Sequence, residues 1–487
     1  MTRRVVVVGN GMAGFRFVQE LFGLGGGFEV TVIGAEPGGA YNRVQLPNVV
    51  AGVAPAGSVE LADHGWYEAR QVRLLAGEAA VAIDRRQRIV RLASGTTVRY
   101  DVLVLATGSS AVLPTVRGLG RADGRLMPGV VAFRTLADAA EIAGIAERAR
   151  GAVVLGGGVL GLETARGLAG LGLPVTVVQR GPRLMERQLD AGGSRVLAQT
   201  VRSFGVRVRT RVSVAAILGG DRVRAVELSD GRVLDADLLV LCCGTRPRAE
   251  LAAAAGLAVG TGVVVDDRLR SVSDPAIFAI GECAEHRGRT HGLVAPCWEQ
   301  ARVAAHVVSE REDVVRYTGS RAVLRLKAAG IELAAMGSAG TGRGAEVVTF
   351  ADPARGVYQK LVVRNGRLAG AILLGDTRAA GTITQLFDRG AALPADRSSL
   401  LIARRNTLAT VADSPLTLPG EATICQCNGV TKSAICAAWQ DGARDVGAVA
   451  ARTRATTGCG TCRDAVRGIV EWLAAAEPDR VPPLVPA

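Results

Sequence analysis

Residues 4–14 read RVVVVGNGMAG, and this stretch decides the fold. A run of valines, stiff at χ1, predicts a strand buried on both faces. It leads into Gly9-x-Gly11-x-x-Gly14, and the apolar stretch continuing to Phe22 predicts a helix. The first glycine permits the tight turn and the second lets the backbone approach a pyrophosphate. The third lets the helix pack closely on the strand. The helix start then offers unpaired N–H groups and a favourable dipole to phosphates. A second predicted strand, FEVTVIGAE, ends at Glu36, where an acid can accept ribose hydroxyls.

The pattern returns at residues 151–180, GAVVLGGGVLGLETARGLAGLGLPVTVVQR, with Gly156, Gly158 and Gly161 in the three positions. Its second strand ends in Gln179-Arg180 rather than in an acid. Arg180 is placed to meet the 2′-phosphate of NADPH or to be plain surface charge, and NADH is the slightly favoured donor. Two dinucleotide cradles on one chain imply a flavin and a nicotinamide nucleotide, with hydride passing between them.

Four of the nine cysteines lie near the C-terminal end, as Cys425-x-Cys427 and Cys459-x-x-Cys462. Such a set can hold zinc or a [2Fe–2S] cluster, and C-x-C is tight for a tetrahedral zinc ion. Between the pairs, Ile435, Ala438 and Trp439 followed by Gly442 predict short helices. Cys242, Cys243, Cys283, Cys297 and Cys436 read as small buried hydrophobes.

Composition narrows the classes. A chain of 487 residues should form roughly two to four domains. The net charge of +13 comes from scattered arginines without aromatic interleaving, so no nucleic-acid partner is expected; a basic face for an acidic protein is the alternative. No unbroken apolar run is long enough to span a membrane, and the N-terminal valine run merges into a glycine loop, unlike a secretory signal. A cytoplasmic location is expected, where paired cysteines favour metal or redox roles.

With YDVLVLATGS (100–109) and DPAIFAIGECAEH (274–286), the whole pattern resembles the two-dinucleotide flavoprotein reductases. The resemblance implies an α/β fold with two Rossmann-like domains. It places Gly9, Gly11, Met12, Ala13, Gly14, Glu36, Arg43, Ala106, Thr107, Gly108, Gly281 and Glu282 around FAD. It places Gly156, Gly158, Gly161, Gln179, Arg180 and Gly244 around NAD(P)H, with Glu163 near the nicotinamide or as an ordinary helix-face acid. Glu282 stands where the family commonly has Asp. A helix starting at Pro296 should face the flavin. The disulfide-reductase branch carries a reactive cysteine after the equivalent of Glu36, and PGGAYNRVQLPNVV has none.

The stretch from Ile424 to Cys462, ending TRATTGCGTC, resembles the bacterioferritin-associated ferredoxin type of [2Fe–2S] domain, which implies Cys425, Cys427, Cys459 and Cys462 as ligands. AYNRVQL, FRTLADA, LMERQLD and GLVAPCWEQ resemble the N-terminal half of NAD(P)H nitrite reductase large subunits and the electron-transfer subunits of assimilatory nitrate reductases. No further cysteine cluster follows Cys462, which favours the second relative. The expected function is electron transfer from NAD(P)H through FAD and the cluster to a separate reductase, for nitrate first and nitrite next. A general ferredoxin or rubredoxin reductase, an amino-acid or opine oxidase subunit and an iron-handling partner remain alternatives. The expected layout is FAD domain 1–117 and 245–312, NAD(P)H domain 118–244 and a small rubredoxin-reductase-like α/β domain 313–390. A linker 391–420, the [2Fe–2S] domain 421–470 and a tail 471–487 complete it.

Overall fold

A computed structural model describes residues 2–310, 315–321, 323–326, 328–340, 344–402, 418–425, 428–457 and 462–476. The chain separates into two compact units, residues 1–380 with 384–393, and residues 381–383 with 394–487.

In the larger unit the valine run forms the strand Arg3–Val8 with Val5–Val8 buried. It pairs in parallel with Phe28–Gly34 and with Val102–Leu105. These are the centre of an eight-stranded sheet ordered Ala284–His286, Val263–Val265, Arg270–Ser271, Asp274–Ala279, Val102–Leu105, Arg3–Val8, Phe28–Gly34, Arg73–Ala76. The helix Met12–Gly23 makes the crossover between the first two parallel strands, which cannot be joined by a hairpin. Against it packs the helix Val294–Ser309, which starts just before Pro296; proline is tolerated in a first turn.

The chain leaves this sheet through Ser109–Ala111 and returns through Thr245–Pro247, and these two strands pair antiparallel with Ser110 opposite Arg246. Between them lies an all-parallel five-stranded sheet ordered Val130–Ala132, Leu238–Leu241, Ala152–Leu155, Val175–Gln179, Arg207–Thr210. An antiparallel five-stranded sheet follows, ordered Val323–Leu326, Leu333–Gly337, Arg367–Leu374, Val357–Arg364, Glu346–Asp352. The segment predicted as a linker from residue 391 begins still tied to this sheet, because Leu393 N donates to Gly366 O at 2.8 Å and Leu393 is buried.

The smaller unit has a hairpin of Thr423–Cys425 and Val430–Thr431 and the helices Lys432–Gln440, Val446–Thr453 and Arg463–Ala476. Thr431 and Asp445 cap the first two helices by accepting from Ala434 N and Ala448 N. Ile435, Trp439, Val449, Val466 and Ile469 are all 0% exposed and form the core. The last helix runs past residue 470, where the tail was predicted to begin. Val470, Trp472 and Leu473 continue its apolar stripe onto that core, so order persists to Ala476. Among the described residues no helix is long and apolar enough to cross a membrane.

Candidate functional site

The first glycine loop cannot tolerate side chains. Gly9 has φ +116°, and a Cβ there would lie 2.1 Å from Ala106 O; one on Gly14 would lie 2.1 Å from Gly9 O. Gly11 opens the helix with φ −89° and ψ −172°, in free space apart from Arg43 Nε at 4.0 Å. Beside the loop is a cavity of about 690 Å³. Of the residues predicted around FAD, Gly9, Gly11, Met12, Ala13, Glu36, Arg43, Ala106, Thr107, Gly108 and Glu282 line it. Gly14 and Gly281 shape it from behind. Gly281 has φ +77°, a Cβ on it would come within 2.8 Å of Ala13 Cβ, and its N–H donates to Gln300 Oε1 at 2.7 Å.

Charges are organised around this cavity. Glu36 accepts from Tyr41 Oη at 2.6 Å and pairs with Arg43. Burial pushes the Glu36 carboxyl up, but Arg43 and the tyrosine hydrogen bond outweigh it and hold the pKa below its ordinary value. Arg43 Nη1 donates to Arg134 O at 3.2 Å, and Tyr41 Oη accepts from Leu136 N at 3.1 Å. Glu282 in turn pairs with Arg134 and accepts from Ser109 Oγ. Arg134 and Arg248 also line the cavity, and neither was singled out in the sequence. The available signal was the capping box of Thr135 and Asp138, which fixes the helix start immediately after Arg134.

The cavity fits FAD on its own geometry. The glycine loop admits a phosphate backbone, three arginines line the walls, and Asn10 Nδ2 is buried there without a partner among the described residues.

The second loop repeats the first. Gly156 has φ +123°, and a Cβ on it would lie 2.2 Å from Cys242 O; one on Gly161 would lie 1.9 Å from Gly156 O. Gly158 opens the helix Val159–Gly170 with φ −85° and ψ −174°. Gln179 does not reach outward: its Oε1 accepts from Gly157 N at 2.8 Å. Arg180 is exposed and has no ion pair among the described residues. Gly244 has φ +96° and its carbonyl accepts from Val112 N at 3.0 Å. Glu163 is buried at 8% exposure on the helix and is not among the residues lining the large cavity.

The thiols of this unit are held in the neutral form. Burial pushes Cys242, Cys243, Cys283 and Cys297 up from their ordinary value, so they stay protonated. Cys283 Sγ donates to Ile280 O and Cys297 Sγ to Leu293 O, each at 3.2 Å. The segment after Glu36 forms the short helix Leu46–Val50 without a cysteine, and Tyr41 and Arg43 occupy the cavity wall there.

In the smaller unit Cys425 and Cys462 are 0% and 6% exposed and join the core that holds Trp439. Cys427 and Cys459 lie outside the described residues. The two described thiols, one on the hairpin and one at the start of the last helix, suit a ligand set drawn from two loops.

Residues 3–306 match the pyridine nucleotide-disulphide oxidoreductase family, residues 323–391 the rubredoxin NAD+ reductase C-terminal domain and residues 423–472 the BFD-like [2Fe–2S] binding domain. The nitrite reductase (NAD(P)H) of Bacillus subtilis (strain 168) is 34% identical over 471 residues, 96% of this chain and 57% of that protein. The assimilatory nitrate reductase electron transfer subunit of the same organism is 34% identical over 480 residues, 98% of this chain and 60% of that protein. The chain thus spans less than two thirds of the length of either. Among solved structures, putidaredoxin reductase in its covalent complex with putidaredoxin has a TM-score of 0.75 at 27% identity, covering 83% of this chain and 99% of that one. The chain therefore belongs to the pyridine nucleotide-disulphide oxidoreductase family, as an FAD- and NAD(P)H-dependent oxidoreductase that also carries a BFD-like [2Fe–2S] binding domain.

Proposed function

We propose that this chain oxidises NAD(P)H and sends the electrons through FAD and a [2Fe–2S] cluster to a separate catalytic reductase in the cytoplasm. An assimilatory nitrate reductase is the first candidate acceptor and a nitrite reductase the next. The observation that carries this reading is the pair of glycine loops with matching geometry in one compact unit, on a chain that also has a [2Fe–2S]-binding domain. The relative named as an electron transfer subunit, matched over 98% of this chain, supports the direction of transfer.

Bound FAD would supply a two-electron hydride acceptor that can give up electrons singly, which suits a one-electron cluster. The chain's own residues do the holding. Gly9, Gly11, Met12, Ala13 and Gly14 present the helix N-terminus to the FAD pyrophosphate, and Glu36 takes the ribose. Ala106, Thr107 and Gly108 form the floor near the crossover strands, with Gly281 shaping the turn at Glu282. Glu282 meets the ribityl chain while Arg134 and Ser109 hold its carboxylate in place. Arg43 and Arg248 supply positive charge on the same wall. Gly156, Gly158, Gly161 and Gly244 cradle NAD(P)H, with Gln179 and Arg180 at its ribose end and Glu163 orienting the nicotinamide. Cys425, Cys427, Cys459 and Cys462 hold the cluster.

Anaerobic titration of the purified chain with NADH and then NADPH tests the reading by visible absorption and low-temperature electron paramagnetic resonance. Flavin bleaching with a rhombic [2Fe–2S] signal is the expected result. Bleaching with no such signal, and zinc in the metal analysis, would sink the relay.

A further inference from the structure

Asn428 follows the C-x-C pair directly, at the turn of the Thr423–Thr431 hairpin. Its Nδ2 donates to Arg454 O at 2.5 Å and lies 3.2 Å from Thr457 Oγ1. Both partners belong to the segment that leads into Cys459-x-x-Cys462. One side chain therefore bridges the two cysteine-bearing loops.

The segment it reaches is strained. Arg454 has φ +64° and Thr456 φ +69°, a left-handed conformation that disfavours any residue with a Cβ and a β-branched one most. Such a backbone persists only where its surroundings hold it. On the near side, Thr453 Oγ1 caps the turn by accepting from Ala455 N at 3.1 Å, and Ala455 is fully buried. From across the domain, Asn428 Nδ2 donates to the Arg454 carbonyl, which also accepts from Thr457 Oγ1 at 2.8 Å and Thr457 N at 3.3 Å within its own turn. Asparagine suits the position because its carboxamide carries N–H donors on a short side chain.

We propose that Asn428 is a positioning residue for the metal centre, tying residues 454–457, which precede the second cysteine pair, to the hairpin that carries Cys425. It contributes no ligand. It keeps residues 454–457 in their strained shape, and iron is retained longer for it. The inference rests on the proposed [2Fe–2S] centre, and it assigns to that centre a residue outside the cysteine set.

The test uses the full chain with Asn428→Ala, Asn428→Asp and Asn428→Gln. Iron release into EDTA is followed anaerobically, beside the paramagnetic resonance spectrum, near-ultraviolet circular dichroism of the chain and bleaching of the flavin by NAD(P)H. Losing one well-placed hydrogen bond should speed iron release about tenfold in the Ala variant. The Asp variant, of the same shape but without donors, should behave as Ala does, and Gln, which keeps the amide, should recover most of the retention. The g-values, the circular dichroism of the chain and flavin bleaching should match the parent. Release within twofold of the parent in both Ala and Asp variants would overturn the assignment, as would a Gln variant as leaky as Ala with the circular dichroism of the chain unchanged. A parent chain with no [2Fe–2S] signal at all instead defeats the proposed relay, so the two failures are told apart.

Discussion

Arg4 grips Asp101 with its backbone N–H and with Nε and Nη2 of its guanidinium, at 2.9, 3.0 and 2.7 Å, and so ties two neighbouring parallel strands at their starts. Arg150 does the same to Asp237 in the second sheet, with all three bonds at 2.9 Å. The internal repeat thus includes a clamp as well as a glycine loop. The arginine hydrogen bonds hold each aspartate down at about 2. A depressed carboxyl pKa contributes stability above the unfolded value near 4, and that contribution is lost as pH falls towards 2. Asp101→Asn and Asp237→Asn should each lower Tm at pH 7 by roughly 1–4 °C, the modest effect of a partly exposed pair. The difference from the parent should shrink as pH falls through that window. Tm measured against pH checks it, and a difference independent of pH would refute the ionic account.

The glycine loops should be separable by mutation. A Cβ on Gly161 meets Gly156 O, and one on Gly14 meets Gly9 O. Gly161→Val should leave the chain yellow but unable to be bleached by NAD(P)H, whereas Gly14→Val should be purified with little FAD. Flavin content and anaerobic bleaching distinguish the two outcomes.

Arg180 should discriminate between the pyridine nucleotides. Gln179 is turned back to Gly157 and carries no charge to repel a 2′-phosphate, and Arg180 is exposed beside it. Losing one charged hydrogen bond to phosphate corresponds to about tenfold in binding. Arg180→Ala is expected to raise KM for NADPH by about that factor and to leave KM for NADH within about twofold, as steady-state kinetics with each donor would show.

Thiol chemistry at the flavin site should be absent. Cys283 and Cys297 are buried, protonated and donating to main-chain carbonyls. Cys283→Ala and Cys297→Ala should keep rates of flavin reduction within about threefold, the loss from modest repacking rather than from a missing nucleophile. A collapse of the rate with FAD still bound would contradict this.

Asp190 should matter more alone than with its partner. Lys360 is 6% exposed and its Nζ meets Asp190 Oδ2 at 2.7 Å, while Tyr358 Oη donates to the same oxygen at 2.8 Å. Asp190→Asn leaves a buried ammonium without a counter-charge and should cost about 3 kcal/mol, whereas adding Lys360→Met should recover much of it. Denaturation of the two variants side by side measures the difference.

Much of the site was legible because its requirements are local. Gly9, Gly11 and Gly14 answer to sterics within one turn, and the paired cysteines announce themselves by spacing. Arg134 and Arg248 were not legible. Each lies beyond a crossover strand, in segments whose neighbours in sequence carry no phosphate-binding pattern; Arg248 reaches the cavity just after the return strand Thr245–Pro247, and Arg134 reaches it from the inserted segment by pairing with Glu282. The contact of Gln179 Oε1 with Gly157 N was not legible either, since it joins residues 22 apart in the chain.

The amino-acid sequence by itself determined the two strand–glycine–helix units, their buried valine strands and the cysteine-bearing domain. Backbone sterics and apolar periodicity act between residues close in the chain, and the order of residues is enough to state them. Tertiary structure alone decided the charge network of Glu36, Arg43, Arg134 and Glu282, the clamp of Asp190 on Lys360 and the bridge from Asn428 to Arg454. These depend on which distant segments meet at hydrogen-bond distance, and electrostatic and hydrogen-bond energies fall away within a few ångströms of that meeting.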